Sequence, residues 1–380
     1  MESPLPSIID SLNELILEAS LLNLNKPTVM TRLPDVKVAA IHAAPAFLNR
    51  VATVAKAISL IREASRNGAQ LIAFPESFIP AFPVWAALWA PIDNHDLFER
   101  FAAESLYADG PEIGEIAAEA RRCGVFVSMG FSERSHASVG CLWNSNLLID
   151  DRGGILNHHR KLVPTFYEKL VWASGDGAGL QVADTRIGRI GGLICGENTN
   201  PLARYTLIAQ GEQIHISSWP ALWPTRRPAG GGNFNNVAAN RLRAGAHSFE
   251  AKAFGIVCAG YMDDDMRDFL VQRDPAAAAV LDGSPRAASM FVDPTGAAIG
   301  DTLSDEEGIA YAQFDLNRCV EPKQFHDVVG YYNRFDVFSL NVNRVRHEPV
   351  SWTTPAPVMS PATEEAAPVG EAAASLAESR

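Results

Sequence analysis

The 380-residue chain holds little that would tie it to an oxidising compartment, a membrane or a nucleic acid. It has five cysteines, at positions 123, 141, 195, 258 and 319. Their number is odd, their spacing wide, and no C-x-x-C pair occurs, so neither a disulfide framework nor a zinc knuckle is indicated. No apolar run approaches the roughly 18 residues that a spanning helix requires. No Lys or Arg precedes Lys26, so the cationic start of a secretory signal is missing and a cytoplasmic protein is expected. Cations are scarce overall: 32 Lys and Arg against 44 Asp and Glu leave a net charge of -12. Nucleic acids and anionic membranes are held chiefly by clustered cations, so neither is an expected partner and a small uncharged substrate fits better. The glycine-rich segments 175–179 and 188–192 match neither G-x-G-x-x-G after a strand nor a P-loop, and no cofactor is expected.

Apolar material is plentiful. At 47% hydrophobic residues the chain has ample surface for a large core. Residues 1–35 read as an extension in which Ile8, Leu12, Leu15, Ile16 and Leu22 recur at near-helical spacing. From 354 the chain turns to Pro, Ala, Glu and Ser, too poor in large apolar groups to offset its ordering entropy, so 354–380 is expected to be disordered. Between these ends strand and helix patterns alternate. Residues 37–42 and 70–74 read as strands around a helix at 52–65, a β-α-β opening. A helix at 111–123 is started by Pro111 and stopped by Gly124. Strands follow at 125–131 and 142–149, with a hairpin turn at 150–154. Beyond position 195 come a helix at 201–209, a strand at 213–218, a helix at 234–253 and a strand at 255–259. A terminal hairpin is expected to join 288–292 to 309–314 through the turn Asp293-Pro294-Thr295-Gly296. The pattern predicts an α/β layered sandwich with no internal repeat.

Three segments carry chemistry. Cys195 ends the apolar run Ile190-Gly191-Gly192-Leu193-Ile194 and opens Gly196-Glu197-Asn198, so a thiol stands where a buried strand gives way to a turn. A buried structural cysteine is the ordinary reading of such a residue. A nucleophilic one needs a base or a cation beside it, because a free thiol is only a few per cent thiolate at neutral pH. Glu76 follows the strand-like Leu71-Ile72-Ala73-Phe74 and is bracketed by Pro75 and Pro80. Among Phe74, Phe78, Phe82, Trp85 and Trp89 its carboxylate is poorly solvated, which raises its pKa and suits a general base, although an exposed loop glutamate is the bland alternative. Lys161, in His158-His159-Arg160-Lys161, is either a solvated strand end or a fixed cation that steadies negative charge on a substrate. Adjacent strand histidines point to opposite faces, so no metal is expected. Glu168 and Glu197 form a second tier, to orient Lys161 or a water and to fix the turn after the thiol. His215 offers a rival Cys-His pair but reads as a satisfied core histidine.

Phe74-Pro75-Glu76, His159-Arg160-Lys161 and Cys195-Gly196-Glu197-Asn198, in that order, resemble the three catalytic segments of the nitrilase superfamily. The likeness runs roughly over 36–315. The stretches 79–85, Trp143-Asn144-Ser145, 172–177 and Ser218-Trp219-Pro220 are similar to the nitrile-hydrolysing branch. The resemblance implies a four-layer α-β-β-α sandwich over 36–320 and an assembly arm over 321–353. It implies a Glu76-Lys161-Cys195 triad with Glu168 as an additional active-site glutamate, and homodimers that build larger assemblies or spirals. Pocket walls are expected from Trp85, Phe166, Tyr167, Gly196 and Trp219. Nitrilases most often carry Trp directly after the nucleophile, where this chain has Gly196, and many have His-x-Glu-Arg where it has Phe166-Tyr167-Glu168-Lys169. The expected reaction is hydrolysis of an organic nitrile to the acid and ammonia, with amide as a possible by-product. An amidase or carbamoyl hydrolase with the same triad, and a non-catalytic assembly or binding protein, are the alternatives.

Overall fold

The computed structural model describes residues 32–233 and 235–350. The helix expected within 8–22 and the tail expected from 354 lie outside them. The chain divides after His347, and everything below concerns the unit that ends there. Residues 348–350 form no helix or strand.

The opening β-α-β is present. Strand β1, Asp35–His42, leads into helix α1, Arg50–Arg66, and then β2, Leu71–Ala73, which pairs parallel to β1 with Val38 opposite Leu71. The Asn49 side chain accepts from the Ala52 amide and caps α1. Helix α2, His95–Glu104, precedes α3, Pro111–Cys123, which starts on Pro111 and ends at Gly124 in the left-handed conformation, φ 66°. Strands β3, Phe126–Arg134, β4, Leu142–Ile149, and β5, Ile155–Arg160, complete one sheet as an antiparallel meander.

The second sheet begins with β6, Ala183–Thr185, and β7, Gly188–Ile194, a short hairpin. Helix α4, Pro201–Ile208, β8, Ile214–Trp219, α5, Asn236–Ala251, and β9, Phe254–Ala259, follow, with β7, β8 and β9 parallel. Helices α6, Asp264–Arg273, and α7, Ala277–Asp282, lead to β10, Ser289–Val292, β11, Ala298–Leu303, and β12, Gly308–Asp315. The strand orders are β12-β1-β2-β3-β4-β5 and β11-β10-β9-β8-β7-β6.

Burial makes these sheets the two inner layers of an α-β-β-α sandwich. Val36, Val38 and Ala40 of β1 face Ile214, Ile216, Phe254 and Ile256 of the second sheet, with Phe254 stacked on Phe314 at 4.5 Å. The alternate residues Ala39 and Ile41 pack outward against Ala57, Ile61, Ile113 and Ile116 of α1 and α3. That alternation is the period of two a strand imposes when both its faces are covered. On the far side Ala244 of α5 packs with Val257 and Ala259 of β9 and with Met290 and Val292 of β10.

The terminal hairpin is a correction to the sequence reading. Residues 288–292 do turn back at Asp293-Pro294-Thr295-Gly296, but onto β11 at the edge of their own sheet, while β12 crosses to pair antiparallel with β1 in the other. The Ala-Ile-Gly-Asp-Thr-Leu run of β11 is largely exposed, and an edge strand without a buried face leaves no alternation to detect. Helices α2, α6 and α7 were likewise not foreseen. In α6 only Met266 and Leu270 are buried, and five of the other eight positions are charged.

One close approach sets the site. A Cβ added to Gly130 in β3 would lie 2.1 Å from the Pro75 carbonyl oxygen, so only glycine lets the Pro75-Glu76 segment lie against that strand. Gly130→Ala should cost about 1–3 kcal/mol in urea unfolding, the usual range for overpacking, and displace Glu76. A variant as stable as the parent would show that the segment is not held there.

Candidate active site

Strand exits deliver the candidate side chains. Glu76 lies just beyond β2, Lys161 directly after β5, and Cys195 directly after β7, so two come from one sheet and the third from the other. All are buried, as are Glu197 and Asn198 in the turn that carries Cys195. Three of the five non-glycine residues with positive φ among the described residues sit in these segments: Ser77 at 47°, Phe166 at 53° and Cys195 at 51°. Backbone held in the left-handed region costs on the order of 1–3 kcal/mol and persists only where the surroundings over-determine it.

The Lys161 ammonium joins the group. Its Nζ donates to Glu76 Oε1 at 2.7 Å and to Glu168 Oε2 at 2.6 Å. Glu76 Oε1 also accepts from Asn144 Nδ2 at 2.7 Å, and Glu168 Oε2 from the Thr165 amide at 2.9 Å. That leaves Glu76 Oε2 and Glu168 Oε1 buried and without a partner among the described residues. The Cys195 thiol lies within 4.8 Å of one oxygen from each carboxylate. Such a donor triplet has metal-like spacing, but the ammonium already sits where a cation would.

Burial dominates the charge states. It pushes the Glu76 carboxyl up to about 7, opposed by Lys161 and reinforced by Glu168. It also holds the Cys195 thiol well above its usual range, with Glu76 adding to the effect while Lys161 and the Gly196 amide act against it. Burial alone would lower Lys161, yet Cys195, Glu76 and Glu168 together raise it well above an ordinary lysine. The resting site is therefore a protonated thiol beside a permanent cation and a carboxyl group that titrates near neutrality. It can move one proton from sulfur to Glu76.

Around these residues a second set of bonds fixes the turn. Glu197 accepts from the Ile194 amide at 2.8 Å, the Leu162 amide at 2.6 Å and His159 Nε2 at 2.8 Å, which ties the Cys195 turn to the strand exit carrying Lys161. These donors keep its carboxyl below the usual range although burial opposes them. Asn198 Nδ2 donates to the Leu193 and Cys195 carbonyls at 3.2 and 3.0 Å, so its Oδ1 must be the atom that faces His215 Nε2 at 2.8 Å. His215 Nδ1 meets Glu212 Oε1, also at 2.8 Å. Both ring nitrogens are thus engaged. Burial would raise the Glu212 carboxyl, and His215 and His247 hold it at about 2. His215 is thus a satisfied core residue that reaches the nucleophile only through Asn198.

A cavity opens beside the thiol, lined by Thr165, Cys195, Gly196, Trp219, Pro220, Trp223, Asn236, Asn240, Arg243 and Ala287. Gly196 and Trp219 of the expected walls are in it. Tyr167 lies behind, stacked on Trp223 at 5.9 Å, and Phe166 is 63% exposed and meets Trp223 edge-on at 6.4 Å. Trp85 is elsewhere, packed against Phe101 in the core. A Cβ at Gly196 would approach Thr165 Oγ1 to 2.8 Å, so a larger residue there would press on the Thr165 rim. Asn144, Asn198, Trp223 and the α5 residues were missed by sequence reasoning. Asn144 and Asn198 lie in stretches of the family likeness, the α5 residues recur at helical spacing inside the expected helix 234–253, and Trp223 carries no spacing signal.

Residues 37–324 match the family model for carbon-nitrogen hydrolases. The chain belongs to that family, the nitrilase superfamily. It is 38% identical over 322 residues to a nitrilase of Penicillium rubens, covering 83% of this chain and 95% of that one. It is 33% identical over 324 residues to an aliphatic nitrilase of Rhodococcus rhodochrous, covering 84% and 82%. The fold is similar to that of Saccharomyces cerevisiae Nit3, a nitrilase-superfamily member, with a TM-score of 0.60 at 16% identity over 82% of this chain and 99% of that one. Among the described residues no helix is long and apolar enough to cross a membrane.

Asn198→Ala would remove the donor to the Leu193 and Cys195 carbonyls and the acceptor facing His215 Nε2. A loss of about 2–4 kcal/mol in urea unfolding is expected; less than about 0.5 kcal/mol would mean that Asn198 does not hold the turn.

Proposed function

We propose that this protein is a nitrilase, converting an organic nitrile and two waters to the carboxylic acid and ammonia with Cys195 as nucleophile. The observation that carries the reading is the shared ammonium: Lys161 binds one oxygen each of Glu76 and Glu168, the other oxygen of each has no partner among the described residues, and the thiol lies within 4.8 Å of one oxygen from each carboxylate. The names of the relatives supply the substrate class, since the geometry would serve amides as well.

Glu76 takes the thiol proton as sulfur bonds to the nitrile carbon and passes it to the nitrogen, giving a thioimidate. Lys161 offsets the negative charge that develops. Water then adds to carbon, and its proton passes through Glu76 to the nitrogen. The carbon–nitrogen bond breaks as the hydroxyl proton moves to nitrogen, ammonia leaves, and a thioester remains. A second water cleaves the carbon–sulfur bond, releases the acid and restores the thiol. Expulsion of sulfur from the first tetrahedral intermediate would give amide instead. Glu168 accepts from Lys161 and orients it, and its free oxygen is placed to accept from a water. Gly196, Trp219 and Trp223 would line the space for the nitrile substituent.

We also place the protein in the cytoplasm, a reading supported by five cysteines that are all free thiols. The exposed Tyr331, Phe335 and Phe338 support a homo-oligomer, with the segment from 321 as its assembly arm.

Cys195→Ala should abolish ammonia release while leaving near-ultraviolet circular dichroism unchanged; substantial turnover would reject the covalent scheme. Glu76 acts as a base only when deprotonated, and its carboxyl is pushed up to about 7. The kcat/KM should therefore fall about tenfold per pH unit below 7 and level off above it. A rate that is flat from pH 5 to 7 would remove Glu76 as the base. Matched nitrile and amide substrates separate nitrilase from amidase: the nitrile should be turned over faster, and activity confined to the amide would assign the chain to the other branch.

A further inference from the structure

The cavity beside Cys195 is asymmetric in a way that the reaction does not require. Its aromatic lining is Trp219 and Trp223, and its polar lining comes from one side of α5, where Asn236, Asn240 and Arg243 recur at helical spacing. Arg243 is held on three sides: Nε donates to Thr199 Oγ1 at 2.8 Å, Nη1 to Asn240 Oδ1 at 3.2 Å, and the guanidinium lies 5.3 Å from the Trp219 ring centroid. None of the three is an anion, and among the described residues no carboxylate lies within ion-pairing distance of Arg243. The cavity lining contains no Asp or Glu.

In a chain of net charge -12, a rigid guanidinium without a counter-ion in a cavity that opens onto a nucleophile stands against the overall field. Asn240 is 3% exposed, and its Oδ1 is engaged by Arg243, which leaves its amide donors for the cavity. A guanidinium and a neighbouring amide present the donor array that a carboxylate accepts in paired hydrogen bonds. The Trp219 and Trp223 rings in the same cavity suit the apolar spacer of such a molecule.

We propose that the substrate is a nitrile whose substituent carries a carboxylate, bound by Arg243 and Asn240 with its cyano carbon at Cys195. This rests on the nitrilase reading and narrows it. It also reverses, at one point of the surface, the expectation of an uncharged substrate that follows from net charge.

The test compares two cyano acids, 4-cyanobutanoate and 3-cyanobenzoate, each with its methyl ester, in the full-length protein. The acid should exceed its ester at least tenfold in kcat/KM, with the difference in KM, for at least one pair. Arg243→Met should bring that ratio to about one and Arg243→Lys should keep part of it. A ratio that Arg243→Met leaves within threefold would overturn the assignment while the nitrilase reading stands. If no nitrile releases ammonia, that reading fails separately, and calorimetric titration of Cys195→Ala still decides the binding claim. The acid should bind that variant at least tenfold more tightly than the ester, and the difference should vanish in Cys195→Ala/Arg243→Met. Equal affinities in Cys195→Ala would overturn the inference.

Discussion

A single buried ammonium shared by two buried carboxylates is the constraint on which the rest of this structure depends. Removing such ions from water costs several kcal/mol each, which is recovered only when their geometry is fixed and further hydrogen bonds satisfy them. Glu76, Lys161 and Glu168 meet that condition through Asn144 and the Thr165 amide. The sandwich supplies the fixity. Two parallel cores run their strands to the same edge, and the exits of β2, β5 and β7 bring charge from one sheet to a thiol from the other.

The same ammonium explains why the site needs strain and depth. With two carboxyls and one thiol around one cation, the group cannot ionise fully, and burial sends the deficit to Glu76 and Cys195. A carboxyl near 7 is well matched to accept a thiol proton at neutral pH. Left-handed backbone at Ser77, Phe166 and Cys195 turns the chain sharply beside Glu76, near Glu168 and at the nucleophile. Glu197 and Asn198 then lock the nucleophile turn, the first to the Lys161 strand exit and the second to the buried His215.

Much of this was legible in the sequence, because Glu76 and Cys195 end apolar runs and Lys161, at a polar strand end, belongs to the His159-Arg160-Lys161 segment of the family likeness. A polar group at the end of a buried strand has few places to go. Strands with two covered faces, such as β1, were equally plain. What escaped has physical reasons. The β11 edge strand has no buried face, and α6 buries only two side chains, so neither writes a period into the chain. Trp85 satisfied the same apolar pattern as a pocket wall but packs in the core, because aromatic content alone does not say which side of a cluster faces a cavity. Arg243 and Asn240 join the site only through helix pairing across the sheet, a contact that local sequence does not encode.

The cavity then divides the labour: the reacting end is set by the buried ion cluster, and discrimination is left to the walls formed by Trp219, Trp223 and α5. The central claim is that the Lys161 charge makes the cluster work. It is tested most directly by ammonia release from a nitrile in Lys161→Met, a variant of similar volume without charge, in protein whose near-ultraviolet circular dichroism matches the parent. The account predicts a fall in kcat/KM of at least about a hundredfold, the scale of losing one preorganised electrostatic group. Turnover within tenfold of the parent by the folded variant would contradict it.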